Sequence, residues 1–426
     1  MTRTSPNLPV IILGAGMVGL TLAQGLKKAG IPYRVYERDS AADTDKGRGW
    51  ALTVHWALSA LEECLPTDLF NRLEDIQVDP SLEDSRRFCF LDLSNAQPKY
   101  VIPPSKRLRV NRRLLGSLLE EGIDINYNKT LSSFYVSSEN PDSVEVSFTD
   151  GSTTTGCLLV GTDGRNSKTR RLLLGEEVGA LNPLPVRSIG ATITMTPEQF
   201  APIRGIDPLL FQGSHPETGV YMWFSLVSSP SINGSKDTTD PFYEGQLIQS
   251  WLYKSEKDNV PDSDAERLAL FKQNAQHFET RLRNTINTLP ADSKMLHIKL
   301  VDWVPVDWDN RNGRVTLAGD SAHAMTSYRG EAFNHGVADA AVLAKNIIAA
   351  WKNPGVSDGI QSAVSQYEEE MRTRTWESVL LSTQACLDAH DLNGLQPDSP
   401  IVSKRAKVAK EAREARARAK LPEVAA

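Results

Sequence analysis

A Gly-Asp turn stands about 300 residues after a glycine-rich loop, and the pair obliges the chain to leave a nucleotide site and return to it. The loop is Gly14-Ala15-Gly16-Met17-Val18-Gly19, set between the apolar run Leu8 to Leu13 and a helical pattern from Met17 to Ala29. In a strand-loop-helix unit of this kind the first glycine permits the turn out of the strand. The second lets backbone N–H groups approach a pyrophosphate, and the third lets the helix pack on the sheet. Gly319-Asp320 closes a short strand pattern, Arg314 to Leu317, and is followed after an irregular stretch by a helix from about Glu331.

A GxGxxG loop alone leaves NAD, NADP and FAD open. Here a second strand, Tyr33 to Glu37, ends in a carboxylate 18 residues after Gly19. Glu37 can accept both hydroxyls of an adenosine ribose and would repel a 2'-phosphate, which argues for FAD or NAD in this site. The returning carboxylate of Gly319-Asp320 narrows the choice to FAD.

With 426 residues the chain fits one large or two interleaved domains, and 40% hydrophobic and 23% charged residues are those of an ordinary globular protein. Cys64, Cys89, Cys157 and Cys386 show no CxxC or metal-ligand spacing, and His323 and His335 lack partner ligands, so no metal site is expected. No window approaches the ~20 apolar residues of a membrane span, and a cytoplasmic protein is the simplest expectation. The net charge of −6 hides a basic run at residues 402–420, where eight basic and two acidic side chains sum to +6 and leave −12 on the rest. Its apolar positions are mostly alanine, so the expectation is a solvated helix, with no nucleic-acid partner and no integral membrane segment.

Residues 105–121 place Arg109, Arg112 and Arg113 ahead of Leu114, Leu115, Leu118 and Leu119. Arginine at a helix start opposes the macrodipole unless an anion sits nearby. Strand-like runs between Thr130 and Val160 turn at Asp150-Gly151 and deliver the chain to Asp163-Gly164-Arg165-Asn166-Ser167-Lys168-Thr169-Arg170. Residues 186–300 then read as a different unit. Its strand candidates are Arg187 to Met195, Gly219 to Val227 and Met295 to Val301, with a loop Ser228 to Asp240 and a helix Asp264 to Leu289.

In register, these motifs resemble the FAD-dependent aromatic hydroxylases, the single-component flavoprotein monooxygenases related to p-hydroxybenzoate hydroxylase. Four occur in the family's order: GxGxxG with Glu37, RxxL at Arg112 to Leu115, DGxxSxxR at Asp163 to Arg170, and Gly319-Asp320. The resemblance covers nearly the whole chain to about residue 350. It implies that Arg112 reaches the pyrophosphate region, that Asp163 and Gly164 belong to a segment serving both FAD and NAD(P)H, and that Asp320 binds the ribityl chain. It also implies that Arg48 and Gly49 pass the flavin. After GDxxH the family's commoner prolines and glycines are replaced by Ala324, Thr326, Ser327, Arg329 and Ala332, a variant similar to fungal secondary-metabolite members. Arg329 could place a cation near the flavin, bind an anionic substrate, or form a salt bridge to Glu331.

The fold class expected is α/β: a Rossmann-like FAD-binding domain interleaved with a smaller β-sheet substrate domain, plus C-terminal helices. The FAD-binding parts are residues 1–85, 105–178 and 301–352. The substrate domain takes the excursion 86–104 and the sheet 179–300, and a helical C-terminal region with the basic tail covers 353–426. A helix starting beside Gly330 would offer the N–H groups of Ala332, Phe333 and Asn334 to the N1 and C2 carbonyl edge of the flavin, stabilising its anionic reduced form. The implied reaction uses NAD(P)H as reductant and O2 as oxygen source to insert one oxygen atom into an electron-rich, aromatic small molecule. Arg187 and Tyr221 are the candidates for holding a phenolate or enolate, with His55 and His215 as further pocket candidates. Two other readings stand beside this one: an FAD-dependent oxidase or reductase without oxygen insertion, and a non-redox cyclase on the same scaffold. Substrate, reaction outcome and oligomeric state carry no signal in the sequence.

Overall fold

A computed structural model of the chain describes residues 8–42, 49–82, 88–102, 107–136, 139–352 and 359–403. Arg48 and nearly all of the basic run lie outside the described residues. Two sheets organise the rest.

The first is a five-stranded parallel sheet with spatial order Val315–Leu317, Leu158–Gly161, Val10–Leu13, Tyr33–Tyr36 and Ile125–Asn126. Val10–Leu13 and Leu158–Gly161 are buried at every position, as a sheet covered on both faces requires. The Met17–Lys28 and Ala332–Lys352 helices pack against each other on the sheet. A three-stranded antiparallel sheet, Leu131–Tyr135, Val144–Phe148 and Thr153–Gly156, adds Val144, Val146 and Phe148 to the same core. The Gly359–Asp388 helix contributes Val364, Tyr367 and Met371, and the Tyr367 hydroxyl donates to the Leu317 carbonyl at 2.8 Å.

The second is a seven-stranded sheet with order Met295–His297, Val186–Met195, Tyr243–Leu252, Tyr221–Ser228, Leu210–Ser214, Phe88–Asp92 and Gln97–Ile102. Strand alternation divides its side chains between two faces. Ile189, Ala191, Ile193, Met222, Phe224 and Leu226 pack in one core with Phe200, Phe271, Leu282 and Ile286 from the helices Pro197–Arg204, Asp264–Asn274 and Thr280–Asn287. The opposite face, which carries Ser188, Thr192, Tyr221, Trp223, Ser225 and Ser250, turns toward the nucleotide-binding unit.

Three expectations change. The single helix Asp264 to Leu289 is two helices, Asp264–Asn274 and Thr280–Asn287. The break is held where the Glu279 N–H donates to Leu93 O at 2.7 Å and its carboxylate accepts the Arg281 N–H at 2.9 Å. Met295 to Val301 is two short strands, Met295–His297 on the large sheet and Val301–Asp302 paired with Asn182–Pro183. The strands Leu210–Ser214 and Tyr243–Leu252 have no counterpart in the sequence reading. Buried Gln212, Gln249 and Ser250 interrupt their apolar alternation.

A buried charge cluster joins the returning turn to both long C-terminal helices. Asp339 accepts the Gly319 N–H at 2.7 Å, His323 Nε2 stands 2.6 Å from the same carboxylate oxygen, and Arg374 reaches the other oxygen at 2.8 Å. Arg374 also contacts Glu370 at 2.8 Å and His335 Nδ1 at 3.0 Å. Burial alone would raise the Asp339 carboxyl, but His323 and Arg374 outweigh it and hold it down at about 2. A depressed carboxyl contributes stability that is present above its ordinary value near 3.8 and is lost as pH falls toward 2. Asp339→Asn is therefore expected to lower the thermal midpoint at neutral pH and to flatten its fall between about pH 4 and 2, measured by thermal denaturation across that range.

Candidate active site

The glycine loop sits at the C-terminal end of the Val10–Leu13 strand. Gly14 has φ +107°, and a Cβ there would lie 2.4 Å from Thr162 O. A Cβ at Gly19 would lie 2.1 Å from Gly14 O, so only glycine lets this helix approach its own loop. Gly16, the N-cap of Met17–Lys28, borders open space. The Glu37 carboxylate accepts the Ala15 N–H at 2.8 Å through one oxygen and the Asp39 N–H at 3.0 Å through the other, which fixes it beside the loop.

A cavity of about 400 Å³ opens here, with Ala15, Glu37, Gly49 and Arg112 on one wall and Thr192 and Ser228 of the large sheet on the other. Arg112 is the first residue of the Arg112–Glu120 helix, and its guanidinium lies 4.7 Å from the Trp50 ring centroid. The arginine that opposes a helix dipole thus faces the cleft an anion would occupy. Asn111 positions it by accepting the Leu114 N–H at 3.1 Å while donating to Val227 O at 3.0 Å.

Asp163 shapes its own turn. Its carboxylate accepts from the Ser167 hydroxyl at 2.5 Å and from the Thr169 N–H and hydroxyl, each at 3.0 Å. Gly164 follows with φ +76°. The motif's terminal arginine, for which sequence reasoning assigned no role, is a buried connector. Arg170 donates to Arg165 O at 2.6 Å, Gly179 O at 3.0 Å and Ser321 O at 3.0 Å, with its guanidinium 4.9 Å from the Trp303 ring. DGxxSxxR is thereby bonded directly to the Gly319–Ser321 turn.

That turn leaves Asp320 exposed while protein crowds its carboxyl from other sides. Burial raises its carboxyl above the ordinary range, and His323, Arg165, Arg112 and Arg170 pull in the opposite direction. An open carboxylate at this depth is a ready acceptor for ligand hydroxyls. Beyond it, Gly330 adopts φ +61° next to open space, and the Ala332–Lys352 helix begins. Ala332 and Phe333 are half-buried. The first N–H groups of a helix have no partner within it, so this end is an anion acceptor. The Asn334 side chain has a different task. It donates to Thr53 O at 2.9 Å and accepts the His55 N–H at 3.0 Å, strapping the helix start to the Ala51–Val54 strand. Of the three options for Arg329, the structure contains the salt bridge: Nε lies 2.6 Å from Glu331, and both side chains are buried.

Arg187 and Tyr221 do not converge. Ser188, Ser250 and Tyr221 stand in register on one face, so Arg187, one residue along, points to the other. There it contacts Asn259 at 3.3 Å and lies 3.9 Å from the Tyr253 ring centroid. Tyr221 is buried on the inner face and donates to Gln212 Oε1 at 2.8 Å. Burial pushes its phenol well above the usual range, so it remains a hydrogen-bond donor. His215 is buried, stacks on Phe278 and accepts the Glu217 and Thr218 N–H groups at 3.3 Å each. The His55 ring meets Trp56 with centroids 6.3 Å apart.

Around Tyr221 the structure gathers groups that sequence reasoning did not assign. Tyr328 packs on it at 4.9 Å between centroids, and Ser250 Oγ bridges the Tyr328 hydroxyl at 2.7 Å and His390 Nε2 at 2.9 Å. Arg109 bonds Thr53 at 2.7 Å and the Ser225 hydroxyl, 5.9 Å from the Trp223 ring. The two-residue spacing of Tyr221, Trp223 and Ser225 was a usable signal for one shared face. Nothing in the sequence brought His390 to them.

The FAD binding domain family model matches residues 7–382. The chain is 79% identical over 425 residues to the FAD-dependent monooxygenase dbaB of Emericella nidulans, covering 100% of each chain. It is 38% identical to a probable FAD-dependent monooxygenase of Arthroderma benhamiae, with 95% and 96% covered. Among solved structures, a putative FAD-containing monooxygenase from Photorhabdus luminescens superposes with a TM-score of 0.74 at 24% identity, covering 91% of this chain and 100% of that one. Klebsiella pneumoniae HpxO complexed with FAD and uric acid gives 0.69 at 19% identity, with 97% and 93% covered. With the family model over most of the chain and relatives at 79% and 38% identity over nearly all of it, the chain belongs to the FAD-dependent, single-component flavoprotein monooxygenases.

Proposed function

We propose that this monooxygenase uses NAD(P)H and O2 to hydroxylate or epoxidise an electron-rich aromatic small molecule of fungal secondary metabolism. The observation that carries the reading is the cavity walled by the glycine loop, Glu37 and Arg112, with the exposed Asp320 carboxylate near enough to Arg112 for their charges to interact. The donor set fits FAD: Glu37 for the ribose, the loop from Gly14 to Gly19 and Arg112 for the pyrophosphate, Asp320 for the ribityl hydroxyls, and the helix start at Gly330 and Ala332 for the ring. Bound FAD supplies hydride acceptance and oxygen activation. The chain's part is positioning and exclusion of water. The inner-face row Tyr221, Trp223 and Ser225 is the candidate side of the sheet for an aromatic substrate, with the protonated Tyr221–Gln212 pair as its polar anchor.

The domain boundaries given above belong to the same proposal, supported by Phe88–Asp92 and Gln97–Ile102 lying in the large sheet rather than the parallel one. A cytosolic setting does too, supported by four free cysteines. Among the described residues no helix is long and apolar enough to cross a membrane.

Purified protein is expected to be yellow, and a phenolic substrate should accelerate NADPH oxidation with formation of a product carrying one added oxygen atom. NADPH consumption that yields only hydrogen peroxide across a phenol panel would favour the oxidase reading, and protein that binds no flavin would overturn both. Glu37→Gln and Arg112→Ala each remove a charged hydrogen-bonding group, which is worth roughly ten- to a hundredfold in affinity. Titration of the apoprotein with FAD, followed by flavin fluorescence, should show that weakening.

A further inference from the structure

We propose that the Arg329–Glu331 ion pair sets the reduction potential of bound FAD, with Arg329 cancelling a carboxylate that would otherwise oppose the reduced flavin. The proposal rests on the FAD reading above. Glu331 immediately precedes the Ala332–Lys352 helix, so its negative charge stands where the helix end is positive. Both side chains are only 5% exposed, and in such surroundings a charge acts over longer range than in water. Reduction adds two electrons and one proton to oxidised FAD and leaves one negative charge on the ring, the charge this helix end is placed to stabilise.

The guanidinium is held from two sides, by the Glu331 carboxylate at 2.6 Å through Nε and by the Pro400 carbonyl through its other edge. Pro400 belongs to the segment after the Gly359–Asp388 helix. That segment also receives the Tyr100 hydroxyl at Leu395 O, 2.6 Å away. The cation is therefore fixed by the fold at the first turn of the helix. Arg329 acts on the flavin through Glu331 and the helix end, as a positioning residue. Gly330 lies between the two residues in sequence, with open space beside it.

The pair makes a signed prediction that loss of packing would not reproduce. Arg329→Gln removes the cation 2.6 Å from the carboxylate and should lower the FAD potential. Glu331→Gln leaves the cation and should raise it. The double variant restores neutrality and should return to near the wild-type value, and Arg329→Lys, which keeps the charge, should lie closer to wild type than Arg329→Gln. The expected size is about tenfold in the ratio of reduced to oxidised FAD at a fixed poise, or about 30 mV for a two-electron couple.

The test is spectroscopic equilibration of each purified holoprotein, without substrate, against reference dyes of known potential. Opposite shifts in the two single variants with recovery in the double variant support the proposal. Shifts of the same sign, or no shift in Glu331→Gln, overturn it. If Arg329→Gln fails to fold or to hold flavin, Glu331→Gln and Arg329→Lys still decide the matter. A wild-type protein that binds no FAD would instead defeat the functional reading, so the two failures are distinguishable.

Discussion

The site depends on one buried carboxylate. Asp339 is the common acceptor for the Gly319 N–H, His323 and Arg374, so the turn that carries Asp320 is fixed by the same group that binds the last long helix to the one before it. A buried ion of this kind is costly unless its lone pairs are filled, and here both oxygens are engaged. Removing one partner would leave uncompensated charge in the interior, whereas the assembled cluster holds three segments far apart in sequence in one geometry. The turn that carries Asp320 is thus positioned by electrostatics beneath it as much as by its own backbone.

The parallel sheet explains why the chain must return. Val10–Leu13, Leu158–Gly161 and Val315–Leu317 are adjacent and parallel, so the three loops that follow them open on the same edge. Ligands of open α/β sheets bind at that carboxyl edge. Gly14, Asp163 and Asp320 each come just after one of these strands. Asp163 turns inward to build its own loop and Arg170 carries that loop to Ser321 O, while Asp320 is left exposed. Two aspartates in equivalent positions therefore differ, one bonded into its own loop as scaffold and the other left exposed, as the acceptor role proposed for it requires.

What the sequence made legible follows from how local each signal is. Gly14, Gly16, Gly19 and Glu37 act within one strand-loop-helix unit, so spacing alone placed them. Arg112 was legible from an electrostatic conflict within a single helix turn. The misreadings needed information that is not local. Arg187 was assigned to the pocket by strand membership, but the pocket face is set by register with Ser250 and Tyr221, and one residue of offset sends the side chain to the other side. Tyr243–Leu252, paired along its whole length with Val186–Met195, was invisible because buried Gln249 and Ser250 break the apolar period. Gln249 is tolerated in the core because its amide donates to Phe271 O at 3.1 Å, a partner 22 residues away. Arg170 and His390 likewise owe their roles to segments that only the folded chain brings to them.

The two faces of the large sheet differ in a way that bears on selectivity. The helix-backed face is closed by Phe200, Phe211, Phe224 and Phe271 and spends its side chains on packing. The inner face holds hydroxyls and amides at positions just as buried: Gln212, Ser225, Ser250 and Tyr221. Each polar group removed from water there destabilises the fold unless it is bonded, by about 1–3 kcal/mol. Tyr221 satisfies one end of Gln212, yet among the described residues the Gln212 amide nitrogen has no hydrogen-bond partner. A sheet selected for stability alone would carry leucine or phenylalanine at such a position, as most of its other face does, with buried Gln249 the exception there. Polar groups kept on the inner face, at that cost, fit the role proposed above of discriminating an aromatic substrate by the placement of its oxygens. A pocket lined only with apolar groups discriminates such features weakly, and one built on buried donors and acceptors discriminates them strongly.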